Sequence, residues 1–83
     1  MVMSVIATET FKLVISKIKD AKVQEQIAKQ IRKISENPEI GKPLRYDLKG
    51  TRSVRVHHYR IIYASKDNKI YLLNFEHRKD VYN

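Results

Sequence analysis

The chain has 83 residues, 17 Lys and Arg against 9 Asp and Glu, no Cys and a formal net charge of +8. That length bounds it to a single domain spanning 1–83, and the absence of Cys excludes a disulfide scaffold and a thiolate metal site. No stretch approaches the ~18 apolar residues of a membrane span, and the opening MVMSVIA has neither the basic lead nor the apolar length of a signal peptide.

The charge is uneven. Residues 1–39 hold 7 basic and 5 acidic residues, whereas residues 40–83 hold 10 and 4. A small basic protein of this kind meets nucleic acid, an anionic membrane or an acidic partner. The acidic groups concentrate on the helical half, which argues against a basic amphipathic helix and so against a membrane.

Residues 3–7 are short and partly β-branched, and read as a first strand. Thr8 reads as a helix N-cap, with Glu9 in the first turn. Phe11, Val14, Ile15 and Ile18 follow helical spacing. Asp20 is placed to cap a second helix, on which Val23, Ile27, Ile31 and Ile34 share one face. That helix should end near Asn37, because Pro38 disfavours helical geometry in the residue before it. The two helices form an αα-hairpin.

Residues 38–51 contain both prolines and both glycines, the mark of a loop. The hydrophobic period then changes to two. Val54 and Val56 alternate with Ser53 and Arg55, and strand-like runs follow over 59–64 and 70–75. His57-His58 can join the first pair tightly, and Asp67-Asn68 can join the second. The expected fold class is α+β: an N-terminal strand, an αα-hairpin, then an antiparallel β-meander packed on the helices.

Alternation has a functional consequence. If Val54 and Val56 meet the helices, Arg55 stands on the outer face. Arg60 shares its face with Ile62 and Ala64. Lys49, Arg52, Arg55, Arg60, Arg78 and Lys79 can then converge around an open sheet face. Tyr46, Tyr59 and Tyr82 are candidate stacking surfaces for bases. His57, His58 and His77 lack metal-ligand spacing and are candidates for acid–base work.

Three segments together carry a family resemblance. They are NPEIGKPLRYDLKG at 37–50, RSVRVHHYRIIY at 52–63 and HRKDVY at 77–82. In this order, after two helices, they resemble the RelE/ParE superfamily of toxins, with the last segment favouring the RelE branch. The resemblance implies a RelE-like fold and a cytoplasmic toxin of a type II toxin–antitoxin system. It implies a ribosome-dependent endoribonuclease that cuts mRNA in the A site with no metal and no cofactor. The implied partners are a cognate RelB-like antitoxin, the ribosome and mRNA.

The same resemblance distributes the roles. Arg60 matches the arginine that stabilises the charged transition state, and Arg78 a C-terminal arginine credited with phosphate contact or proton donation, of which a guanidinium suits the first better. Tyr82 matches a tyrosine that stacks on the substrate base, and Arg55 a strand position that helps hold RNA. Relatives carry lysines where this chain has Thr51 and Ser53. The general base therefore falls to Lys49, or to His57 or His58, which replace a common Gly-Asp. Two alternatives share the fold: a ParE-like inhibitor of DNA gyrase, and a noncatalytic member that binds RNA or antitoxin alone.

Overall fold

The structure is a computed structural model that describes residues 3–44 and 50–77. Five strands form one sheet in the order β1-β5-β4-β3-β2, with two helices inserted after β1. The architecture is α+β and matches the expected one.

Strand β1 (Ser4–Ala7) pairs in parallel with β5 (Lys69–His77). A parallel pair needs a crossover. Helices α1 (Glu9–Ser16) and α2 (Ala21–Glu36) begin that crossover. Thr8 caps α1 by accepting the Phe11 N–H at 3.2 Å, and its hydroxyl donates to the Leu72 carbonyl at 2.8 Å. One side chain thus starts the helix and ties it to the sheet. Asp20 caps α2 by accepting the Lys22 N–H at 2.9 Å.

Helix α1 ends at Ser16, before Ile18, which helical spacing had assigned to it. The chain tightens through short bonds from Lys17 N–H to Val14 and from Ile18 N–H to Ile15. Ile18 still packs against the core from beyond the helix end. After α2, a short 3-10 turn, Pro38–Ile40, leads into an unforeseen strand within the expected loop. This is β2 (Lys42–Pro43), paired with Ser53 and Arg52 of β3. Proline lacks a donor, and its place on an edge strand is the one where that costs least.

Strands β3 (Thr51–Val56), β4 (Tyr59–Lys66) and β5 form the expected antiparallel meander. The core lies between the helices and one face of this sheet. Phe11, Val23, Ile27 and Ile34 meet Val54, Val56, Ile61, Tyr63, Ile70, Leu72 and Phe75 there. At roughly 25 cal/mol per Å² of apolar surface removed from water, this contact is the main stabilising term. Tyr63 is fully buried and carries a polar anchor: its hydroxyl donates to the Pro38 carbonyl at 2.7 Å and accepts the Gly41 N–H at 2.9 Å. Among the described residues no helix is long and apolar enough to cross a membrane.

Candidate nucleic-acid interface

The outer sheet face is built by the β3–β4 hairpin. Val54 and Val56 are buried in the core, so Arg55 between them points outward and is exposed. The two-residue connection His57-His58 closes the hairpin, with His57 in the left-handed region at φ 53. This fixes the register that sets Arg55 opposite Arg60. On the other side of Arg60, β5 contributes Glu76. A row of two cations and one carboxylate, Arg55–Arg60–Glu76, therefore crosses three strands.

Arg60 is half-buried and its Nε is withdrawn from solvent. The next row on this face is Ser53, Ile62 and Asn74. Ile62 is 3 % exposed although it lies outside the helix-packed core. The row after that sets Ala64 between Thr51 and Tyr71. Charge, amide and aromatic groups thus follow one another along a single face.

The other sequence candidates fall in three places. Arg52 belongs to the opposite face, in register with Tyr63, and does not join the open-face group. Its guanidinium donates to the Gly41 carbonyl at 2.8 Å and to the Glu39 carbonyl at 3.3 Å, clamping the turn before β2. Tyr59 also lies on the helix side, with its ring stacked on Phe75 at a centroid distance of 4.9 Å. It is separated from Arg60 by the strand alternation itself. His58 and His77 stack at 6.4 Å, and His77 meets the Tyr59 ring edge-on at 5.2 Å. Lys49, Tyr46, Arg78, Lys79 and Tyr82 lie outside the described residues.

Sequence reasoning passed over Glu76 and Asn74. Counting strand partners outward from the Asp67-Asn68 turn sets Ile62 opposite Leu73 and Arg60 opposite Phe75. The observed ladder shifts between Ile62 and Tyr63, so that Arg60 pairs with Glu76 instead. The extra residue is a β-bulge, which bends the strand and re-aims the side chains beyond it. Asn74 stabilises the irregularity by accepting the Phe75 N–H at 2.8 Å. A polar Asn within an apolar run was the available signal. Tyr71 was also missed; period-two counting from the turn places it on the Ala64 face.

Chemically, the face offers fixed positive charge beside a carboxylate. Guanidinium groups hold phosphate through charge-assisted hydrogen bonds and keep their charge at every relevant pH. Among the described residues, no group of three or more His, Asp or Glu side chains is arranged to hold a metal ion.

A family model for the ParE toxin of type II toxin–antitoxin systems matches residues 5–82. The chain belongs to this family, within the RelE/ParE superfamily, and is a toxin of the type II toxin–antitoxin class. A search of curated protein sequences returns no match. Among solved structures, a RelB–RelE toxin–antitoxin complex of Mycobacterium tuberculosis is similar at 28% identity and a TM-score of 0.81, over 94% of this chain and 100% of that one. A RelE mutant of E. coli in the free state gives 18% identity and a TM-score of 0.78, over 99% and 92%. An archaeal RelE–RelB complex from Pyrococcus horikoshii gives 20% and 0.72, over 94% and 97%.

Proposed function

We propose that this toxin is a cytoplasmic, ribosome-dependent and metal-independent endoribonuclease that cuts mRNA in the A site. In the reaction, the 2′-oxygen forms a bond to the adjacent phosphorus and the bond to the 5′-oxygen breaks. The 2′-hydroxyl proton passes to a base and an acid supplies one to the 5′-oxygen. The products are a 2′,3′-cyclic phosphate and a 5′-hydroxyl.

The observation that carries this reading is the Arg55–Arg60 pair on the outer face. Two guanidinium groups directly opposite one another repel, at a cost of a few tenths to about 1 kcal/mol. An anionic phosphate between them removes that cost. The benefit grows as negative charge builds on the phosphorane-like transition state, which is differential stabilisation of the kind catalysis requires. Arg60 takes the transition-state charge and Arg55 holds the RNA. Arg78 adds phosphate contact and Tyr82 orients the base, as the family resemblance suggests. Lys49 takes the role of base, with Glu76, His57 and His58 as its competitors.

The partner that silences the toxin is an antitoxin. Similar structures include complexes of RelE with RelB, and a partially disordered acidic chain would suit the basic face.

One observation favours a second reading. The matching family model is named for ParE, and the ParE-like alternative inhibits DNA gyrase without cutting RNA. The test sets both activities side by side. Purified toxin in a translation extract should cleave ribosome-engaged message and leave gyrase supercoiling intact. Intact message with inhibited supercoiling would establish the second reading. Intact message with unaffected gyrase and retained antitoxin binding would indicate a noncatalytic member.

A further inference from the structure

A cleft of about 470 Å³ opens on the helix side of the same hairpin end, between the α1–α2 connection and the β3–β4 turn. Lys17 and Lys19 line it from the connection, Lys22 from the first turn of α2, and His57, His58 and Tyr59 from the hairpin. Among the described residues these three lysines make no ion pair. The wall also carries one carboxylate, Asp20, which accepts the Lys22 backbone N–H at 2.9 Å and is outnumbered by the three lysines. The connection is also held in place, because the Gln24 side-chain amide donates to the Ile18 carbonyl at 2.9 Å. The cations are therefore presented by a fixed backbone, which lowers the ordering cost of binding an anion.

The cleft does not stand alone. Arg55 and Arg60 lie two residues before and after the turn edge, roughly 7 Å along the strands at ~3.3 Å per residue. Cations thus stand on both sides of the hairpin tip, Arg55 and Arg60 on the outer face and the three lysines at the cleft, with His57 and His58 between them. A ligand with regularly repeated negative charge fits such an arrangement better than one with a single anionic group.

We propose that this cleft binds the phosphodiester backbone of RNA, as a second site continuous with the Arg55–Arg60 row and separate from the scissile centre. The inference rests on the reading above that the toxin acts on RNA. In this arrangement the lysine ammonium groups contact successive phosphates. The imidazole N–H groups of His57 and His58 add donors from the hairpin. Tyr59, which does not reach the outer face, touches RNA from the cleft wall.

The test uses a fluorescent 2′-O-methyl RNA oligonucleotide, which lacks the attacking hydroxyl and stays intact. Its affinity is measured by anisotropy across a salt series. The cleft variant Lys17→Gln/Lys19→Gln/Lys22→Gln is compared with a control variant of equal charge, Lys12→Gln/Lys29→Gln/Lys33→Gln, whose lysines are exposed and outside the cleft. Thermal melts confirm that both are folded. The cleft variant should bind at least ten-fold more weakly. Its slope of log K against log salt should fall by about 2, because each single-strand phosphate contact contributes about 0.7. The control should stay within about two-fold of wild type.

Equal losses in both variants, an unchanged cleft variant, or no binding by the wild type would overturn the proposal. So would a glutamate-rich peptide of matched charge whose affinity, unlike that of the oligonucleotide, falls ten-fold in the cleft variant, since the cleft would then be an acidic-peptide groove. The probe is uncut and no ribosome is present. Failure here therefore leaves the nuclease reading standing, and failure to cleave message leaves the cleft to be judged by its own binding data.

Discussion

Arg55 and Arg60 face each other across adjacent antiparallel strands, separated from the tight turn that joins them by the Val56–Tyr59 pair. Their mutual repulsion is a cost in the free toxin, offset in part by Glu76 on the far side of Arg60. Replacing Arg55 by Ser should therefore leave stability unchanged or raise it by up to about 1 kcal/mol. The same change should weaken message cleavage. Denaturant melts and single-turnover cleavage measure the two effects separately. A loss of both would mean that Arg55 is a structural residue.

Glu76 lies opposite Arg60 because of the bulge after Ile62, and its carboxylate is the acidic group in that row. Glu76→Gln keeps the shape and removes the charge. If Glu76 accepts the 2′-hydroxyl proton, cleavage should slow by about 10²–10⁴-fold. Lys49→Met should then have the smaller effect. The reverse ranking would return the role of base to Lys49.

The anchor at Tyr63 makes a prediction about stability and pH. Tyr63→Phe deletes the hydroxyl that joins Pro38 and Gly41, and leaves the Gly41 N–H without that acceptor. The expected cost is about 1–3 kcal/mol. Burial raises the Tyr63 pKa above its ordinary 10.0, against the opposing pull of the Gly41 hydrogen bond and the Arg52 charge. The neutral phenol is thus the form the fold prefers. Its contribution is complete below the unfolded-state value and is lost as pH rises through the folded-state one. The stability gap between wild type and Tyr63→Phe should hold steady below pH 10 and narrow above it. Guanidinium melts at several pH values read this directly.

Gly41 packs against the Tyr63 ring, and an added Cβ would strike the ring and its hydroxyl. Gly41→Ala should be destabilising despite its modest size. His57 presents the converse case. It holds φ 53, a region that strains most side chains by roughly 1–2 kcal/mol. Glycine relieves that strain but frees the unfolded chain by about 0.4–1 kcal/mol. His57→Gly should therefore be stabilising by up to about 1 kcal/mol. His58, which has no positive φ, should lose stability on the same change.

Much of this was legible in the chain. Thr8 and Asp20 announced both helix starts, and each proved to accept the expected backbone N–H. The alternation of Val54 and Val56 put Arg55 on the outer face, and the tight His57-His58 turn set it opposite Arg60. Period-two counting also parts Tyr59 from Arg60, and the Tyr59 ring lies on the helix side against Phe75.

What the chain did not disclose depends on long-range contacts. Strand β2 is only Lys42–Pro43, too short for any periodicity, and exists because Ser53 and Arg52 lie beside it. Arg52 looked like another RNA-facing cation. Its position depends on the carbonyls of Gly41 and Glu39, which only the folded turn brings within reach. The bulge at Ile62 shifts β5 by one residue, and with it the identity of Arg60's neighbour.

The central claim is that Arg60 stabilises charge on the scissile phosphate. The most direct measurement is single-turnover cleavage of ribosome-engaged message by wild type and Arg60→Ala, with the ends of the fragments identified. Wild type should leave a 2′,3′-cyclic phosphate and a 5′-hydroxyl, and Arg60→Ala should be slower by about 10²–10³-fold with an unchanged melting profile. Cleavage by the folded variant at the wild-type rate, or an intact message with the wild type, would contradict the claim.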